Sequence, residues 1–210
     1  MPKLLELFAG TGSVGRPFRA GGWDVLSVDL DGRYNPEIQT DILDWDYTQC
    51  PIPDVIWASP PCVQYSCART RAKVTDLDGA DALVARTLEI IRFFMGHNRD
   101  LKWFIENPDT GRMKDRPLVR DLPFVVLDYC MYGAPYRKRT RIWTNTKFVP
   151  RPLCDMTCSA PKHGSAHWYA AQRGGLRHRD GALSKGFSLD TLHALPSQLC
   201  DAIFECANGA

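Results

Sequence analysis

The chain has 210 residues, 44% hydrophobic and 24% charged, with a formal net charge of +2 and 8 cysteines. That length suits one domain with a sizeable core, and no apolar run reaches the roughly 18–20 residues of a membrane span, which excludes a helical integral membrane protein. Lys3 precedes only a short apolar stretch, Leu4 to Ala9, broken by Glu6 and followed by glycines rather than a cleavage site. An intracellular protein is therefore expected, its cysteines serving as core fillers, metal ligands or nucleophiles rather than as a disulfide frame.

Leu4–Phe8 reads as a first strand running directly into Gly10-Thr11-Gly12-Ser13-Val14-Gly15. A short helix follows and stops at Gly21-Gly22, where glycine supplies a left-handed end. Trp23–Leu30 and Asp54–Ala58 read as further strands, and Asp81 to Phe94 carries Leu83, Val84, Leu88 and Ile91 at helical spacing. Leu101–Ile105, Phe124–Leu127 and Arg141–Thr144 are three more strands. The alternation predicts an α/β fold with a mostly parallel sheet flanked by helices. From about Pro150 to Ser188 the texture is loop-rich, with Gly, His, Arg and Ser. Leu195 to Ala207 is again helical and apolar.

The first βα turn spells Gly10-x-Gly12-x-x-Gly15, which brings backbone close to a ligand and suits either a nicotinamide or a methyl-donor nucleoside. Asp29 ends the second strand, where an acid can accept from two ribose hydroxyls. Asp41, in Thr40-Asp41-Ile42, stands where it can read an adenine amino group. Strand-end capping is the plain alternative for both acids.

Ser59-Pro60-Pro61-Cys62 follows the strand ending at Ala58, at the carboxyl edge where open α/β sheets hold ligands. Two prolines stiffen the approach to Cys62, whose thiolate would be a strong nucleophile if nearby positive charge lowers its pKa. Glu106-Asn107-Pro108 repeats that logic one strand further on and offers an acid. Arg139-Thr140-Arg141 would set two guanidinium groups on one face of an extended segment. Basic residues cluster at Arg69, Arg71 and Lys73, at Arg137 to Arg151, and from Lys162 to Lys185. The pattern suits a phosphate backbone or a solvated loop surface.

Leu7-Phe8-Ala9-Gly10-Thr11-Gly12, Pro60-Pro61-Cys62, Glu106-Asn107-Pro108 and Gly133-Ala134-Pro135…Arg139-Thr140-Arg141-Ile142-Trp143 stand in the order and rough spacing of the cytosine-5 DNA methyltransferases. The chain resembles that family over about residues 3–145. The resemblance implies a Rossmann-like class I methyltransferase fold, S-adenosyl-L-methionine as cofactor and double-stranded DNA as partner, with no membrane and a monomeric state. It implies that Cys62 adds to C6 of a flipped-out cytosine, that Glu106 bonds the N3 edge, and that Arg141 with Arg139 holds the O2 side. It assigns Phe8 and the Gly10-Thr11-Gly12 loop to the methionine and adenosine side, Asp29 with Leu30 to the ribose and Asp41-Ile42 to the adenine. Ser59 joins the cofactor contacts. Leu195-Pro196-Ser197-Gln198-Leu199 resembles the final motif, which folds back to close the cofactor site.

Ser59, Val63, Pro108, and Tyr136 with Arg137 depart from the residues usual at those places. The main departure is size. Only Thr146 to Leu192 is available for target recognition, a loop-rich reduced insertion within a single domain of residues 1–210. This compactness is similar to that of the small methyltransferases of iridovirus-like DNA viruses, and it suits a dinucleotide target or little sequence at all. A tRNA cytosine-5 methyltransferase, or a catalytically silent nucleic-acid-binding relic, stays open as an alternative. An amino-methyltransferase would carry an aromatic residue after Pro-Pro, and a dehydrogenase would leave Cys62 and Glu106 without a task. Such an enzyme belongs where DNA is, in nucleus or cytoplasm. Finally, Cys154, Cys158, His163 and His167, spaced C-x3-C-x4-H-x3-H, read either as a tetrahedral zinc site or as DNA-facing histidines with unpaired cysteines.

Overall fold

The computed structural model describes residues 1–66 and 76–209, so the cluster Arg69, Arg71 and Lys73 lies outside the described residues. In chain order the elements are β1 (Lys3–Leu7), α1 (Gly15–Ala20), β2 (Asp24–Asp29), β3 (Ile38–Gln39), β4 (Val55–Ala58), α2 (Leu77–His97), β5 (Lys102–Pro108) and β6 (Phe124–Asp128). There follow β7 (Tyr136–Arg137), β8 (Arg139–Thr144), β9 (Lys162–His163), β10 (Ala166–His167), β11 (Tyr169–Ala170), α3 (Leu189–His193) and α4 (Ser197–Ala207). Seven strands make one sheet in the order β3-β2-β1-β4-β5-β8-β6. β8 pairs antiparallel with both β5 and β6, and the other pairings are parallel.

The sheet is parallel from β3 through β5 and is covered on both faces, so its strands read as near-continuous apolar runs. All four residues of β4 are buried. One face packs Leu5, Leu7, Ile56, Ile105 and Trp143 against the α2 stripe Val84, Leu88, Ile91 and Phe94. These helix residues recur at three- and four-residue steps, which keeps them on one side. The opposite face packs Leu4, Trp57, Phe104 and Ile142 against Phe18 of α1 and Leu199, Cys200 and Ile203 of α4. Phe18, Trp23 and Phe204 meet edge-on, with ring centroids 5.0–6.3 Å apart. A Cβ at Gly21 would come within 2.3 Å of the Phe204 ring, so a side chain at Gly21 would force that ring to shift.

Sheet boundaries differ from the sequence reading at two places that matter. β5 continues through Glu106-Asn107-Pro108, and β8 begins at Arg139, because the two strands pair with each other over Phe104–Pro108. Glu106 is therefore a strand residue rather than one leaving the sheet. The loop-rich region holds only short pieces, the β9–β10 hairpin and β11, which joins β7 in parallel. Among the described residues no helix is long and apolar enough to cross a membrane.

Candidate functional site

A cavity of about 420 Å³ opens at the carboxyl ends of β1, β2, β4 and β5, a volume usual for small-molecule sites. Phe8, Gly10, Thr11, Asp29, Leu30, Asp41, Ile42 and Ser59 line one part, and Cys62, Glu106 and Lys138 line another. Leu189, Asp190, His193 and Leu195 come from the C-terminal segment and cover it. The Leu195 N–H donates to Ser13 Oγ (3.3 Å) and the Tyr34 hydroxyl to Asp190 (2.6 Å), fastening that cover at both ends. Gly12 does not line the cavity; at φ +64° it carries the chain toward α1.

The loop after β1 passes through left-handed conformations at Phe8 (φ +55°) and Gly10 (φ +48°). Glycine adopts these freely, but phenylalanine does so only where its surroundings enforce it. The enforcement is visible: Ala9 N–H donates to Val28 O (3.2 Å) and Gly10 N–H to Asp29 Oδ2 (2.7 Å). The Asp31 N–H donates to the other Asp29 oxygen at 2.7 Å. Asp29 is thereby locked in orientation with acceptor capacity to spare. Asp41 Oδ1 accepts from Leu43 N–H (2.9 Å), the Asx-turn capping that remained open from sequence.

Beneath the loop lies buried Glu6, which sequence reasoning passed over as a strand residue. Its carboxylate accepts from Val14 and Gly15 N–H at 3.3 and 3.1 Å, orienting the start of α1. Burial outweighs those bonds and pushes its carboxyl up to about 7.

Cys62 is held in place by what surrounds its turn. The Tyr65 N–H closes onto Cys62 O (3.1 Å), and the buried Tyr65 donates its hydroxyl to Asp81 of α2 (2.8 Å), which is also paired with Arg116. Asn107 donates to Pro60 O (2.8 Å), bolting the Pro-Pro-Cys turn to β5. Glu106 is buried, accepts from the Tyr129 hydroxyl at 3.0 Å and has the Lys138 ammonium 3.9 Å away. Burial pushes the Cys62 thiol up, the Lys138 charge pulls it back and Glu106 adds to the rise. Replacing Lys138 by methionine is therefore expected to move the pH midpoint of Cys62 alkylation upward, read by peptide mass spectrometry. An unchanged midpoint would remove Lys138 from the electrostatics of the thiol.

The structure does not bring Arg139 and Arg141 to this cavity. Directly opposed residues in an antiparallel pair share a face, and Glu106 opposes Ile142 while Asn107 opposes Arg141. The two arginines therefore stand on the face opposite Glu106. There Arg139 pairs with Asp128 (2.9 Å) and Arg141 with Asp109 (2.8 Å), the latter stacked over Phe124. Lys138, one residue earlier, falls on the Glu106 side. Nothing in the arginine motif marked it, and only strand parity against β5 would have found it. Asp128 is fully buried. Burial would raise its carboxyl, but Arg139 and the Cys154 N–H outweigh it and hold it below the usual carboxylate range. Asp128→Ala is expected to lower the unfolding free energy by roughly 3 kcal/mol in a denaturant titration. A loss under about 0.5 kcal/mol would mean that solvent already screens the pair.

The basic stretch Arg137 to Arg151 is largely spent inside the fold. Lys138, Arg139 and Arg141 are paired as above, and Arg151 donates to Met131 O and Gln198. Arg173, Arg177, Arg179 and Lys185 of the loop-rich region are exposed and form no ion pair among the described residues.

The metal-ligand set also differs from the sequence reading. Cys130, Cys154, Cys158 and His167 converge with their ligand atoms within 4.8 Å of one another. His163 does not join them. In the β9–β10 hairpin His163 opposes Ala166 and His167 opposes Lys162, so the two histidines lie on opposite faces. His163 Nε2 instead meets Asp180 Oδ2 at 2.7 Å.

No protein-family profile matches the chain. A "Probable DNA (cytosine-5)-methyltransferase" of Frog virus 3 (isolate Goorha) is 40% identical over 163 residues, covering 71% of this chain and 73% of that protein. The chain belongs to the DNA cytosine-5-methyltransferase family. A solved methyltransferase of Entamoeba histolytica (EhMeth) shares the family's fold at 16% identity and a TM-score of 0.52, over 76% of this chain. This chain spans 58% of that one.

Proposed function

We propose that this chain methylates C5 of cytosine in double-stranded DNA, with S-adenosyl-L-methionine as donor. The observation that carries the reading is a single cavity walled by the glycine loop, Asp29 and Asp41 together with Cys62, Glu106 and Lys138. The donor side fits the cofactor: a locked carboxylate for ribose hydroxyls, an acid at Asp41 for an amino group, and apolar walls at Phe8, Leu30 and Ile42. When bound, the donor supplies an electrophilic methyl group.

The remaining chemistry falls to the side chains. The target base must leave the duplex stack to reach Cys62. The Cys62 thiolate forms a bond to C6, which moves an electron pair toward C5 and negative charge onto N3 and O2. The Glu106 carboxyl group donates a proton to the N3 edge, and the Lys138 ammonium, 3.9 Å from that carboxyl group, offsets the remaining charge. Once C5 carries the methyl group, water takes the C5 proton, and the C–H electron pair forms the C5–C6 double bond as Cys62 leaves as thiolate. We assign Arg139 and Arg141 to positioning, bracing β8 through Asp128 and Asp109. Exposed Arg173, Arg177, Arg179 and Lys185 suit the phosphate backbone, and residues 146–192 serve as a reduced recognition insertion for a short target. Such an enzyme works as a monomer in whichever compartment holds its DNA.

The test is transfer of labelled methyl to unmethylated duplex DNA, with tRNA as parallel substrate. Label recovered as 5-methylcytosine in DNA is expected. Label in tRNA alone would move the substrate, and no transfer despite donor binding would mark a silent relic.

A further inference from the structure

The cluster of Cys130, Cys154, Cys158 and His167 lies outside the cavity and takes no part in the chemistry above. We propose that it is a structural zinc site that fastens the loop-rich insertion to the sheet.

The donor set favours this ion. Three thiols and one imidazole are all buried, and no carboxylate belongs to the group. A soft set of three sulfurs and one nitrogen, with all four positions closed, suits tetrahedral zinc, whereas calcium and magnesium require oxygen ligands. The spacing agrees as well. Zn–S bonds of about 2.3 Å and a Zn–N bond of about 2.0 Å put sulfur and nitrogen about 3.5 Å apart in a tetrahedron. His167 Nε2 lies 3.7 Å from Cys154 Sγ and 3.2 Å from Cys158 Sγ. All three thiols are free, and a disulfide would use two of them and strand the third beside the imidazole.

The backbone is shaped for thiolates. Met156, between the two loop cysteines, takes φ +80°, a conformation rarely open to a side chain, and its N–H donates to Cys154 Sγ at 3.3 Å. Cys154 N–H is fixed by buried Asp128 (3.0 Å), and the Lys162 ammonium donates to the carbonyls of Cys158 and Ala160. Those contacts set the loop and add positive charge beside a site that three thiolates and one zinc ion would leave at net −1.

The site also answers a packing problem. Among the described residues the apolar cluster around Cys130, Cys154 and Cys158 adds only Ala160, with Met131 packed against it, a small apolar surface to hold this part of the loop. Cys130 belongs to the turn after β6, Cys154 and Cys158 to the insertion, and His167 to the β9–β10 hairpin. One ion would join all three, and its binding energy would be folding energy for the insertion.

The test is metal content of the full chain, expressed with zinc and purified reduced, by inductively coupled plasma mass spectrometry. About one zinc per chain is expected, retained in His163→Gln and lost in Cys130→Ser. Because Cys130→Ser can also unfold the insertion, the unaltered chain is stripped and reloaded with cobalt, which should give the intense visible absorption of tetrahedral thiolate coordination. Reduced, folded protein with neither stoichiometric zinc nor that spectrum overturns the proposal. So does zinc lost from His163→Gln and kept by Cys130→Ser. None of these readouts depends on methyl transfer.

Discussion

Methyl transfer by Cys62→Ala is expected to fall on the order of 10⁴-fold or more, with donor binding unchanged. Cytosine C5 is a poor nucleophile until a group adds at C6, and among the described residues Cys62 is the thiol that lines the cavity. Its side chain is only partly buried, so truncation leaves no large void in the core and stability should hold. A duplex carrying fluorine at C5 of the target cytosine sharpens the test. Fluorine cannot leave as a proton does, so the sulfur–C6 bond should persist as a denaturant-resistant complex in wild type and be absent in Cys62→Ala. Transfer that survives the substitution would sink the covalent mechanism.

Glu106→Gln should lower kcat by roughly 10²–10³-fold, leaving the KM for the donor near its wild-type value. The amide keeps the shape of the side chain and can still accept from Tyr129, so packing is preserved while the carboxyl proton offered to N3 is lost. On the proposed mechanism Glu106 serves the base rather than the cofactor, so the loss should appear in kcat. Tyr129→Phe is the companion variant, removing one hydrogen bond to Glu106 within an otherwise intact buried ring. It should cost about tenfold. Equal losses in kcat and in donor affinity for Glu106→Gln would point instead to a collapsed cavity.

Much of the site was legible because its motifs are local. Gly10-Thr11-Gly12 sits between a strand and a helix, and Pro60-Pro61 stiffens the chain into Cys62, so each motif brings its own backbone geometry. Strand order then needs only the right-handed crossover rule to bring the ends of β1, β2, β4 and β5 together. Asp29, Asp41, Cys62 and Glu106 meet at one cavity for that reason. Two assignments depended on partners distant in sequence. The resemblance sets Arg139 and Arg141 at the O2 side of the base, but antiparallel pairing of β8 with β5 turns them to the face opposite Glu106, and Lys138 stands beside Glu106 instead. His163 and His167 looked equivalent by spacing, yet the β9–β10 hairpin turns them to opposite faces and leaves the fourth position to Cys130, which precedes the insertion altogether.

The sequence by itself determined the fold class and singled out Cys62 and the glycine loop as candidates, since those follow from local backbone chemistry and hydrophobic period. Only the tertiary structure decided which cation stands beside Glu106 and which four side chains meet at the insertion. Strand pleating has a period of two, so one residue of register exchanges the faces, and register is set by the neighbouring strand.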